Sequence, residues 1–125
     1  MIISVAVLGC VLLGALAVFQ ALLAAGQPLG RFAWGGQHDV LPTGLRVGSA
    51  VSIALYAGFA VLILCAAGAL EVLPNGFVDV AIWVLTAYFA LGIGMNAISR
   101  SRPERFVMTP VVLGLTVLCL VLALQ

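Results

Sequence analysis

The chain has 125 residues, 65% of them hydrophobic and 7% charged, with a net charge of +1 and not one lysine. A soluble domain carries roughly 25% charged residues, so a chain this apolar, with a mean hydropathy of +1.32, cannot cover a water-facing surface and has lipid as its solvent. The missing lysine and near-neutral charge exclude the clustered basic face that nucleic-acid binding requires.

Met1 to Ala25 is apolar, interrupted only by Ser4 and Gln20. It has no basic leader and is longer than the ~7–15 apolar residues of a signal peptide, so it reads as a first membrane-spanning helix, about residues 2–25. Cys10, Gly14, Ala17, Ala21 and Ala24 recur at spacings of four, three, four and three. They form a small-residue seam that lets a neighbouring backbone approach closely. Gln20 borders the seam, and its amide needs a partner inside the bilayer.

The segment Gln27 to Ser49 is the only long stretch that is not hydrocarbon-like, and it contains the single histidine, His38. Arg31, Phe32 and Trp34 form a basic and aromatic group suited to the headgroup region. Gly35–Gly36 breaks the chain and His38–Asp39 follow. Leu41–Pro42 is a restricted dipeptide and a natural helix start, which predicts a second helix over about 42–68. Arg46, Ser49, Ser52 or Ile53, and Tyr56 fall on one face of it. That stripe reads either as interhelical hydrogen bonding or as the polar wall of a binding crevice.

Pro74-Asn75-Gly76 is strong turn chemistry, and a third helix is expected over about 78–98. Tyr88, Gly92, Asn96 and Ser99 share one of its faces. Ser101-x-x-Glu104 matches a capping box and predicts a fourth helix over 102–124, bent near Pro110. The chain stops one residue after this last apolar run, so no soluble domain is expected to follow. Each run is close to the ~20 residues that cross a hydrocarbon core. The expectation is an all-α membrane protein: one domain, residues 1–125, of four transmembrane helices in an up-down antiparallel bundle.

All five arginines, Arg31, Arg46, Arg100, Arg102 and Arg105, flank or lie in the first and third connections. The second connection and the termini carry Glu71 and Asp79 instead. By the positive-inside rule, loops 26–45 and 99–105 are expected in the cytoplasm and both termini outside. The lysine-poor, Ala/Val/Leu/Gly-rich composition suggests a GC-rich bacterial genome, and the expected location is a bacterial cytoplasmic membrane.

Length and span count are shared with small four-span fluoride channels and small multidrug exporters. The charge imbalance does not suit the dual insertion of many of those proteins, and the embedded Glu of the exporters is missing. A closer resemblance rests on four motifs: Pro28 to Gly30, Trp34 to His38, Leu41 to Arg46, and Ser99 to Arg105. Through these the chain resembles an uncharacterised family of small bacterial four-span integral membrane proteins. The resemblance covers the whole chain and implies the architecture, but supplies no activity.

The candidate ligand-binding residues are Arg31, Trp34, His38, Asp39, Arg46, Ser49, Asn96, Arg100, Arg102 and Arg105, which the topology collects at one end with Gln37, Ser99 and Glu104. Arginine presents a fork of donors that suits phosphate or carboxylate, and anionic lipid headgroups are the nearest such ligands. The alternative is that these arginines only set topology and anchor at headgroups. His38–Asp39 offers an acid/base pair, although a structural role for the histidine is the plainer reading.

No nucleophile motif, phosphate-cradling loop, carboxylate dyad or CxxC is present, and no cofactor or metal is called for. Cys10, Cys65 and Cys119 read as packing residues. Three functions follow as expectations. The first is binding or transport of a small anionic or amphipathic molecule, with a homo-oligomer supplying the room that transport requires. The second is an accessory subunit docking a membrane complex through the seam of Cys10, Gly14, Ala17 and Ala21. The third is a lipid-acting enzyme using His38 and Asp39.

Overall fold

The computed structural model describes residues 1–125. It holds four α-helices and no strands: α1 Ile2–Ala24, α2 Thr43–Ala66, α3 Asn75–Ala97 and α4 Arg102–Leu124. All four are long and apolar enough to cross a membrane, which is the architecture of a multi-pass membrane protein. Only 19 of the 125 residues are buried. In a chain with this much hydrocarbon, many apolar side chains therefore face outward, as a lipid solvent requires.

Local chemistry explains where the helices stop. α1 ends in a Schellman motif: Gln27 N–H bonds the Leu22 carbonyl at 3.0 Å and Gly26 N–H bonds Leu23 at 3.1 Å, with Gly26 at φ +90°. α2 ends the same way at Gly68, φ +81°. Glycine is favoured at both places because a Cβ disfavours the left-handed conformation. The expected bounds of these two helices are thus trimmed by one or two residues.

The third helix differs more from expectation. It begins at Asn75, not Val78, with Pro74 as its extended N-cap residue. The Pro-Asn-Gly turn chemistry is spent on starting the helix, because first-turn N–H groups need no intrahelical partner. α4 matches its expected span and runs on through Pro110.

α1 packs chiefly on α2, and α3 chiefly on α4. The two pairs join through α1 with α4 and α2 with α3. The shared core holds Ala6, Leu13, Ile63, Ile82, Leu85, Phe89, Leu115, Cys119 and Leu122. Phe59 of α2 sits against Tyr88 and Phe89 of α3, with ring centroids 5.6 and 5.7 Å apart, distances typical of favourable aromatic pairs.

The core face of α1 is Ala6, Gly9, Leu13, Gln20 and Leu23, and the small-residue seam lies beside it. Cys10 reaches the Ala60 carbonyl of α2. Gly14 and Ala21 are exposed, and nothing stands within 4 Å of a Cβ placed on Gly14.

The connection between α1 and α2 forms two short 3-10 turns, Gly30–Phe32 and Trp34–Gly36. The returning strand of this loop crosses Gly30 so closely that a Cβ there would overlap the His38 carbonyl oxygen. Gly30 N–H donates to the Asp39 carbonyl at 2.8 Å.

A crevice beneath the first loop

The loop lies over a crevice of about 770 Å³ walled by all four helices. α1 and α3, which do not pack extensively on each other, stand on either side of it. Its apolar wall includes Leu16, Phe19, Phe89, Leu91 and Val112. Its polar groups are Gln20, Trp34, Gln37, Tyr56, Tyr88, Asn96, Ser99 and Glu104. Leu91 and Met95 on its rim are exposed, and both lie within the span of α3, so the crevice opens sideways, toward lipid.

The loop is tied down from both hairpins. Trp34 sits at φ +51°, an uncommon conformation for a large side chain. Its ring lies over Gly48, and its Nε1–H donates to Ser49 Oγ at 3.2 Å. Ser49 is fully buried. From the other side, Ser101 Oγ donates to the Arg31 carbonyl, and the Glu104 carboxylate accepts from Gly35 N–H at 3.0 Å.

Glu104 was expected to close a capping box with Ser101. Half of the box forms: Ser101 Oγ accepts from Glu104 N–H at 3.4 Å. The other half does not. Ser101 N–H instead donates to Ser99 Oγ at 3.2 Å, leaving the Glu104 side chain free to reach across to the loop. Glu104 is 7% exposed and lines the crevice.

The expected site residues divide into three groups. Trp34 and Asn96 line the crevice, and Ser49 positions Trp34. Arg46 and Arg105 are held at helix ends: Arg46 Nε donates to Ala24 O at 2.9 Å, and Arg105 Nη1 to Ser99 O at 3.2 Å. Arg31, Arg100 and Arg102 are exposed, with Arg31 stacked 5.0 Å from the Phe32 ring centroid. His38 and Asp39 are exposed as well, and their contribution to the loop comes from their backbone carbonyls. No arginine lines the crevice.

The polar stripe of α2 is largely occupied by structure. Arg46 caps α1, Ser49 holds Trp34, and Ser52 Oγ donates to its own helix at Gly48 O, 3.0 Å. Only Tyr56 reaches the crevice. The α3 face of Tyr88, Gly92, Asn96 and Ser99, by contrast, lines it throughout.

Sequence reasoning missed Phe32 as a lining residue, and it placed Glu104 only in a general polar cluster. Gln20 was flagged as needing a partner and has one: its Nε2 donates to Tyr56 OH at 3.3 Å, while Oε1 is buried without a hydrogen bond. No group of three or more His, Cys, Asp or Glu stands together as a metal site.

No protein-family model, curated protein or solved structure matches this chain.

Proposed function

We propose that this multi-pass membrane protein binds a single amphipathic molecule, its apolar part along Leu16, Phe19, Phe89 and Val112 and its polar head under the loop. The observation that carries the reading is one crevice of about 770 Å³ whose lining joins an apolar wall to a few polar side chains, Gln37, Asn96 and Glu104 among them. That volume lies within the ~300–1,000 Å³ of small-molecule sites, which pair an apolar wall with a few placed polar groups. The helices are proposed to alternate in direction across a bacterial cytoplasmic membrane, with the loop end in the cytoplasm. The arginine distribution supports this orientation. Exposed Arg31, Arg100 and Arg102 then sit where anionic headgroups are found. Transport, beyond binding, is assigned to a homo-oligomer.

Native mass spectrometry in nanodiscs made from the protein's own membrane tests the reading. One amphipathic adduct is expected on the wild type and on the Arg100→Gln/Arg102→Gln pair. It is expected to vanish from Met108→Trp, which fills the crevice. An adduct that survives Met108→Trp, or depends on the arginine pair, would move the site out of the crevice. Cysteine probes in the loop that label from outside intact cells would overturn the orientation.

The exposed Gly14 and Ala21 favour a second reading, an accessory subunit. A stoichiometric foreign chain that is lost on Gly14→Leu would support it.

A further inference from the structure

The geometry points to a head-group specificity for this crevice: it selects amphiphiles with an ammonium head, with Glu104 as the acceptor. The inference rests on the crevice reading above and adds the chemical class of the ligand.

Three observations carry it. First, the only charged side chain lining the crevice is Glu104; no arginine lines it. An anionic head would meet a carboxylate there with no lining guanidinium to offset the repulsion. Second, Glu104 is more than nine-tenths buried, and its hydrogen-bond partner is a single backbone N–H, from Gly35. A carboxylate has about four lone-pair sites, and this single hydrogen bond leaves most of that accepting capacity unused. Third, Gln20 is 9% exposed, lines the same crevice, and keeps one end of its amide unpaired while the other bonds Tyr56. Its unpaired oxygen is closed off by packing, so Gln20 adds a neutral polar group and no charge to the lining.

The aromatic wall agrees with this assignment. Phe32, Trp34 and Tyr88 all line the crevice, and aromatic faces attract cations electrostatically. A crevice lined by one carboxylate, several aromatic rings and a neutral amide forms an environment for an ammonium group. The arginines keep a different place: Arg46 and Arg105 sit on backbone carbonyls, and the other three are exposed.

The test uses the full chain in nanodiscs of zwitterionic lipid. Three amphiphiles share one alkyl chain and carry primary ammonium, sulfate or glucoside heads. They are added together at equal amounts, and the occupancy of each on the protein is read by native mass spectrometry. The wild type is expected to hold the ammonium probe about tenfold more than either competitor, the margin of one charge-assisted contact. Glu104→Gln, which can still accept from Gly35 N–H, is expected to hold the ammonium and glucoside probes about equally. Glu104→Asp, which keeps the charge, is expected to keep the preference.

Equal occupancy by all three heads on the wild type would overturn the inference and leave the crevice reading standing. So would a preference for sulfate, or an ammonium preference that survives Glu104→Gln. Absence of every probe would bring down the crevice reading, and this inference with it. If Glu104→Gln does not fold, the head-group order on the wild type decides alone.

Discussion

Arg46 and Arg105 occupy the same station in the two hairpins. Each is the fourth residue of its helix, and each donates to a backbone carbonyl at or just past the end of the preceding helix: Ala24 O, the last residue of α1, at 2.9 Å and Ser99 O, two residues beyond α3, at 3.2 Å. Terminal carbonyls lack intrahelical donors, and a cation there complements the helix dipole. Arg46→Gln and Arg105→Gln are therefore each expected to lower stability by about 1 kcal/mol. Arg100→Gln and Arg102→Gln, at exposed positions, should stay within about 0.5 kcal/mol. Thermal unfolding in detergent separates the pairs, and equal effects at all four positions would contradict the assignment.

Gly30 is the tightest point of the loop. Gly30→Ala is expected to cost more than about 2 kcal/mol, because the Cβ overlaps backbone that cannot swing away like a side chain. Gly44→Ala is the control: nothing lies within 4 Å of its Cβ position, and alanine is the better helix former by about 1 kcal/mol. Unfolding temperatures should fall for the first variant and hold or rise for the second.

Much of the fold was legible because lipid imposes a simple rule. Four apolar runs of spanning length become four helices, since only internal hydrogen bonding satisfies a backbone in hydrocarbon. The face of α3 carrying Tyr88, Gly92, Asn96 and Ser99 was also legible from helical spacing, and it lines the crevice. What could not be read was the division of labour among the polar residues. Composition makes Arg46 and Arg105 look like ligand-binding groups, yet the carbonyls they meet belong to other segments and become neighbours only in the folded chain. Glu104 shows the same limit: its i+3 spacing from Ser101 predicts a local cap, and a tertiary contact with Gly35 takes its side chain instead. The start of α3 was misplaced because Pro-Asn-Gly has the same composition in a turn as in the first turn of a helix.

Trp34 reports on loop closure. Its Nε1–H to Ser49 Oγ contact, at 3.2 Å, holds a residue in the left-handed region. Ser49→Ala removes the acceptor and is expected to cost about 1 kcal/mol. In a Trp83→Phe background the emission of Trp34 should shift on Ser49→Ala, as the ring leaves its seat over Gly48. An unchanged spectrum would mean that packing alone holds the ring.

The outward part of the α1 seam makes its own prediction. A Cβ on Gly14 meets nothing within 4 Å and the position is exposed, so the monomer fold should tolerate Gly14→Leu, with stability unchanged or slightly raised. Any loss of an oligomer or a partner chain on this substitution, read by native mass spectrometry, then reports on an intermolecular contact and not on misfolding.

The central claim is that an amphiphile occupies the crevice under the loop. The most direct measurement is photo-crosslinking with a diazirine-bearing alkylammonium in nanodiscs, followed by peptide mapping of the adducts. The account predicts adducts concentrated on Phe19, Leu91, Met95 and Met108, which line the crevice, and their loss under competition by the unlabelled amphiphile. Adducts spread without competition over outward residues such as Val18, Val84 and Leu113, which are exposed, would show ordinary lipid contact and contradict it.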